Sequence, residues 1–387
     1  MSMSERKRES ERSILLCRSA WVGAVLLALA GRIAASPASA PTAVYRPTGT
    51  LAYMTLQPDG TGRHVVVAEW AGIHRWPPAS MEKSPLRFVG IDLETGDSRT
   101  MGEVDRSPFL VLFERFVSVT GTGRIAFVDP SGSPYLVHVI EPDGQRHVVK
   151  KEEADLVSGP AWRPDSTHLL LFAFNLPEDG VQTGGARLLD VPRDGMTSEE
   201  ALPGVSGWSA TWSSDGSAIY SLWPTGQATA RIEALRWPSL TRSVLGTATI
   251  PYVNDYYPIA RLFIAEDSGD LIWLSPSGTE STDAEFQVWR MPPGGEPKAT
   301  SLRLSALPRE VAVAPDGMRL ALVRSDGRLV LGNLGTGAKA LLPELPSRLG
   351  GRAWLSWAQE GRALVAASSE GGAVWLVPVL SSLGAPE

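Results

Sequence analysis

The sequence predicts an all-β chain folded as a single β-propeller, and three observations carry that prediction. The 38 Gly and 30 Pro are scattered through 387 residues, so turns are frequent and strands are short. A small unit recurs along the chain: a short apolar segment, a polar turn, then a second apolar run. Its turns, counted at Asp59, Thr122, Asp165, Asp215, Ser268, Asp316 and Glu360, fall 43 to 63 residues apart. That spacing excludes solenoid repeats of about 20–35 residues and matches a propeller blade of about four strands and roughly 40–50 residues.

The first element reads as a targeting segment. Arg6, Lys7, Arg8, Arg12 and Arg18 precede the apolar run "SAWVGAVLLALAG" (Ser19–Gly31), and small residues follow. That order is the one a secretory signal peptide uses. Thirteen apolar residues are too few to span a bilayer comfortably. The alternative is a retained anchor that includes Ile14–Cys17, a stretch that Arg18 interrupts. The expected division is residues 1–40 as leader and 41–387 as one propeller domain. Cys17, the only cysteine, lies in the leader, so the remaining chain can form no disulfide and no Cys-ligated metal site. Without residues 1–40 the chain keeps 30 basic and 39 acidic side chains, a net charge of about −9. An acidic domain of this kind is a poor binder of nucleic acid or of an anionic membrane.

The repeats follow in order. They are "LQPDGTGRHVVVAEW" from Leu56, "VSVTGTGRIAFVDPSG" from Val117, "PAWRPDSTHLLLFAF" from Pro160 and "SATWSSDGSAIYSLW" from Ser209. "ARLFIAEDSGDLIWLSP" from Ala260, "EVAVAPDGMRLALVR" from Glu310 and "WLSWAQEGRALVAAS" from Trp354 complete the series. The near-continuous apolar runs suit sheets buried on both faces, as stacked blades are. Seven turns predict seven blades, with six or eight as the alternatives. The last repeat leaves only two clear strands after its turn, so the segment Ala43–Leu56 is expected to supply the missing outer strand and close the ring.

"PAWRPDSTHLLLF", "SATWSSDGSAIYS" and "VAVAPDGMRLALV" resemble the WD40-like repeats of the TolB type, whose hallmark runs Pro-x-Trp-Ser-Pro-Asp-Gly followed by an apolar strand. The similarity covers most of the chain after about residue 45. The second, fifth and seventh copies depart from it, with Gly-Thr-Gly, a shifted acidic turn and Gln-Glu-Gly in place of Pro-Asp-Gly. The resemblance implies that each blade starts with an inner strand at a central channel. It also implies that the connection entering that strand shares an edge with the loop between the second and third strands.

On that layout the candidate binding residues are Trp208, Asn254, Asp255, Tyr256 and Tyr257. The last four belong to "PYVNDYYP", which leads into the inner strand of the fifth blade. Tyrosine joins apolar area to a polar tip, a combination enriched at interfaces. Long loops between second and third strands are expected in blades one, three and five, and short ones in blades six and seven. The five histidines form no visible metal cluster, and no nucleotide-binding, zinc-protease, EF-hand or serine-hydrolase motif is present. Catalytic residues stay unassigned, and neither a metal nor a cofactor is expected.

The resulting expectation is an extracytoplasmic, monomeric, non-catalytic propeller. It would be periplasmic or secreted, or held by an uncleaved N-terminal segment, and would bind a protein or glycan. No nucleic acid partner is expected, nor an integral membrane span once the leader is cleaved. The alternative is a propeller enzyme, a lactonase, lyase or glycosidase, with its site at the channel mouth.

Overall fold

The computed structural model describes residues 40–73, 84–106, 116–129, 134–154, 156–175, 183–192, 198–202, 209–226, 229–249, 262–276 and 285–379. All its strands lie within Pro41–Glu387. They form seven antiparallel sheets of four strands each, a seven-bladed propeller.

Blade one consists of Gly49–Leu56, His64–Ala71, Ser84–Asp92 and Ser98–Arg106, from the inner strand outward. Blade two is Val117–Val119, Ile125–Asp129, Tyr135–Ile140 and Arg146–Glu152. Blade three is Leu156–Trp162, His168–Asn175, Thr183–Asp190 and Ser198–Leu202. Blade four is Ser209–Trp212, Ala218–Gly226, Thr229–Arg236 and Thr241–Thr249. Blade five is Leu262–Ile264, Leu271–Pro276, Phe286–Met291 and Lys298–Leu304. Blade six is Glu310–Val313, Arg319–Val323, Leu329–Asn333 and Lys339–Leu341. Blade seven is Ala353–Ala358, Ala363–Ser368 and Val374–Pro378, completed by Thr42–Tyr45 from the other end of the chain.

The closing strand is therefore shorter than Ala43–Leu56. Thr42–Tyr45 pairs with the third strand of blade seven, Thr42 opposite Leu376 and Tyr45 opposite Val374. Gly49–Leu56 is instead the inner strand of blade one.

The core lies between blades. Ile125–Asp129 is buried at every position, as is Ala363–Ser368, because neighbouring blades cover both faces. Trp70, Phe88, Phe116 and Phe127 fill the contact of blades one and two, and Trp212, Leu170 and Leu188 that of blades three and four.

Polar bonds also cross between blades. In three places an arginine of one blade lies over a tryptophan of the next: Arg124 over Trp162, Arg163 over Trp212 and Arg319 over Trp357. The indole N–H groups of Trp212 and Trp357 donate back to the Ala161 and Ala312 carbonyls. Trp212 and Trp357 are thus held both by the ring face and by the edge.

Candidate binding face

Strand pairing sorts the connections into two edges. In blade three the start of the inner strand, Leu156, pairs with Phe174 at the end of the second, and Thr183 at the start of the third pairs with Asn175. The connection entering a blade and its second-to-third-strand loop therefore share an edge, as the resemblance to the TolB-type repeats implied.

The opposite edge carries the repeated turns, and their acidic residues serve the backbone. Carboxylate oxygens of Asp59, Asp165, Asp215 and Asp316 accept from the amides of Thr61, Thr167, Ser217 and Met318 at 2.8–3.0 Å. Hydrogen bonds from Ser213 and Ser217 hold Asp215 below the usual carboxylate range. Gly317 in this turn has φ +67, and a Cβ there would sit 2.7 Å from Ser268 Oγ of blade five, so conformation and space both demand glycine. Asp270, in the stretch Glu266–Trp273, is buried and accepts from Ser268 Oγ at 2.6 Å and Arg290 Nε at 2.8 Å.

His64 and His168 begin the second strands of blades one and three. His64 Nδ1 lies 2.5 Å from Asp59, and His168 meets the Trp237 ring edge-on. Among the described residues no group of three or more His, Cys, Asp or Glu is placed to hold a metal.

The loop-bearing edge has long connections. Twelve residues separate Ala71 from Ser84, ten separate Arg106 from Val117, twelve separate Thr249 from Leu262, and eleven separate Leu341 from Ala353. Trp208, Asn254, Asp255, Tyr256 and Tyr257 all lie outside the described residues. Their flanking strands are placed: Asn254–Tyr257 belong to the connection from the outer strand of blade four to the inner strand of blade five.

Two features of this edge were not singled out from the sequence. One is Glu69, fully buried at 0% exposure within the apolar strand His64–Ala71. Tyr45 Oη donates to its Oε2 at 3.0 Å, the Thr48 amide to Oε2 at 3.1 Å, and Thr48 Oγ1 to Oε1 at 2.8 Å. Arg87 Nη1 stands 3.6 Å from Oε1 and balances the charge. A buried carboxylate is tolerable only when paired in this way. Glu69 thereby ties the closing strand to blade one. Burial and the adjacent Glu69 push the Tyr45 phenol well above its ordinary value. A lone acid inside "HVVVAEW" was the readable signal.

The other is a depression on blade six. Its outer strand, Lys339–Leu341, has only three residues, against nine in Ser98–Arg106 and Thr241–Thr249. The last pairing bond runs from the Leu342 amide to the Leu329 carbonyl at 3.1 Å. Pro343 has no N–H to continue it, so the chain leaves the sheet there. The result is a cavity of about 160 Å³ floored by Leu329 and Leu345 and rimmed by Leu341, Leu342, Arg328 and Arg348. Leu341 is 58% exposed.

Fold and site together define the class as a β-propeller with one loop-bearing edge. No protein-family model matches the chain, and no curated protein matches it. Among solved structures it is similar to the β-propeller domain of Cps50 (Swd1) from Myceliophteria thermophila, at 13% identity and TM-score 0.59, over 88% of this chain and 100% of that one. It is also similar to an oligogalacturonate lyase in complex with manganese, at 12% identity and TM-score 0.59, over 90% of this chain and 95% of that one. TolB from Acinetobacter baumannii aligns at 18% identity and TM-score 0.41, over 82% of this chain and 80% of that one. At these identities the first two likenesses show the fold alone.

Proposed function

We propose that this chain is an extracytoplasmic, non-catalytic propeller that binds a protein or glycan through its loop-bearing edge. Met1–Ala40 serves as its leader or anchor and Pro41–Glu387 as the working domain. The observation that supports this reading is the difference between the two edges. On the turn edge the connections are short and repetitive, and their side chains are spent on backbone amides and on bonds between blades. On the other edge the connections reach twelve residues and vary from blade to blade. Variable loops on a rigid scaffold are how recognition surfaces are built. Trp208, Asn254, Asp255, Tyr256 and Tyr257 are the residues of that edge proposed to make contact.

Affinity capture from the chain's own envelope extract tests the reading, with the parent domain compared against Tyr256→Ala/Tyr257→Ala. The expected result is a partner recovered by the parent and reduced at least tenfold in the variant. Recovery of no partner, or equal recovery by both, would overturn it. Mass spectrometry of the mature N-terminus tests the leader: a chain that starts at Met1 rules out cleavage.

A further inference from the structure

We infer that the depression on blade six is a docking point for an extended peptide of a partner protein, one that presents a large apolar side chain beside a carboxylate. This deepens the proposed binding role and rests on it.

Three features of the depression select that occupant. The first is size and lining. The depression offers about 160 Å³, and Leu329, Leu341, Leu342 and Leu345 supply most of the apolar part of its lining. One leucine, isoleucine, methionine or phenylalanine side chain fills it. The buried floor, Leu329 and Leu345, belongs to the same core that holds blades six and seven together, so the floor is fixed rather than adaptable.

The second is charge. Arg328 and Arg348 rim the cavity and are exposed; neither forms an ion pair among the described residues, although the charge of Asp326 reaches Arg328. The neighbouring Asp326 is engaged by Arg324 at 3.4 Å and by the Arg328 amide. Glu344 is the one acid in the lining, so the rim is net positive on a chain whose net charge is −6. A carboxylate next to the inserted side chain would meet one or both guanidiniums, the geometry to which Arg is best suited.

The third is the strand beside the cavity. Lys339–Leu341 pairs with the third strand of blade six on one side and is an outer strand on the other. Its free edge offers main-chain groups to a short extended segment, the strand-addition mode of peptide recognition. Apolar pocket, two cations and free edge all fall in the segment between Gly327 and Arg348.

The test uses a random heptapeptide phage library panned on the full chain. The expected pool carries Leu, Ile, Met or Phe next to Asp or Glu. Peptides synthesised from it should bind with affinity reduced at least tenfold in Leu341→Asp and in Arg328→Glu/Arg348→Glu. These side chains are exposed, and an unchanged urea midpoint in each variant verifies folding. A pool without that pairing, or one that binds both variants as well as the parent, overturns the inference. Such a pool leaves the broader binding role standing. Failure of the envelope capture alongside a pool that does depend on Leu341 and the two arginines counts against the broader role alone.

Discussion

Replacing Arg124 by methionine should be among the most damaging single changes that leave the apolar core untouched. Arg124 is 2% exposed. Its Nε and Nη2 bind both oxygens of Glu141 at 2.7–3.1 Å, and its Nη1 donates to the Ser166 and Val191 carbonyls of blade three at 2.7 and 2.9 Å. Its guanidinium carbon lies 4.8 Å from the centre of the Trp162 ring. Methionine keeps the stem but leaves the Glu141 carboxylate, 12% exposed, without its cation. Breaking a buried pair from one side costs about 3–5 kcal/mol. The two orphaned carbonyls keep the loss near the upper end of that range. At 4 kcal/mol the folded-to-unfolded ratio falls roughly a thousandfold. Urea unfolding followed by tryptophan fluorescence and by circular dichroism reads the change, and coincident transitions justify a single free energy. Arg124→Met/Glu141→Leu should recover at least about 1 kcal/mol relative to the single variant, because no bare charge is left. Arg362→Met, at 74% exposure beside Glu360, serves as the control and should stay within about 0.5 kcal/mol of the parent. A loss below about 1 kcal/mol for Arg124→Met, or a double variant no better than the single, would refute the reasoning.

Further expectations concern the ring closure and the turns. Tyr45→Phe removes the bond to Glu69 and should cost about 1–3 kcal/mol in urea unfolding, because a buried acceptor loses its donor. The raised phenol pKa means that Tyr45 contributes fully below pH ~10, its unfolded value, and that this contribution fades as pH rises above it. Melting temperatures between pH 8 and 11 should therefore fall less steeply in Tyr45→Phe than in the parent. At the acid end, the Arg63 hydrogen bonds hold the Asp92 carboxyl far below its ordinary value. Its contribution is complete above pH ~4 and is lost as pH falls further, so Asp92→Asn should flatten the acid limb of the same profile. Gly317→Ala should destabilise by at least about 1–2 kcal/mol from its positive φ alone. Ser166, with φ 65, occupies the position where other copies have glycine, so Ser166→Gly should be neutral or stabilising by up to about 1 kcal/mol in the same assay.

The fold was legible because its signals are local. Asp316-Gly317 and Asp215-Gly216 are turns for reasons contained within four residues, and runs such as "HLLLFAF" announce burial on both faces without any knowledge of neighbours. Even the fifth copy, shifted and acidic at Ser268, kept its place in the ring because its flanking strands remained apolar. The clamps between blades were not legible. Arg124 and Trp162 are 38 residues apart, and Arg319 and Trp357 likewise, so nothing near either residue announces its partner. The division of connections between edges came from the resemblance to the TolB-type repeats, and loop lengths were read only between second and third strands. That comparison passed over Leu342–Arg352, which enters blade seven, and with it the depression beside Leu341. The proposed contacts at Trp208 and Asn254–Tyr257 rest on sequence, since those residues lie outside the described part of the chain.

Blade seven draws its outer strand from Thr42–Tyr45 and its other three from Ala353–Pro378. During synthesis the first strand emerges roughly three hundred residues before its neighbours exist. It waits as an open edge, and Glu69 waits with it, unable to collect the Tyr45 bond in its final setting until the last blade is made. Early blades can assemble on their own hairpins, but the circle closes only once the last blade is made, with a long loop to close. Such a chain is vulnerable longest at its two ends, where an early strand left unpaired can find the wrong chain. A copy truncated before Val374 would expose that hazard permanently.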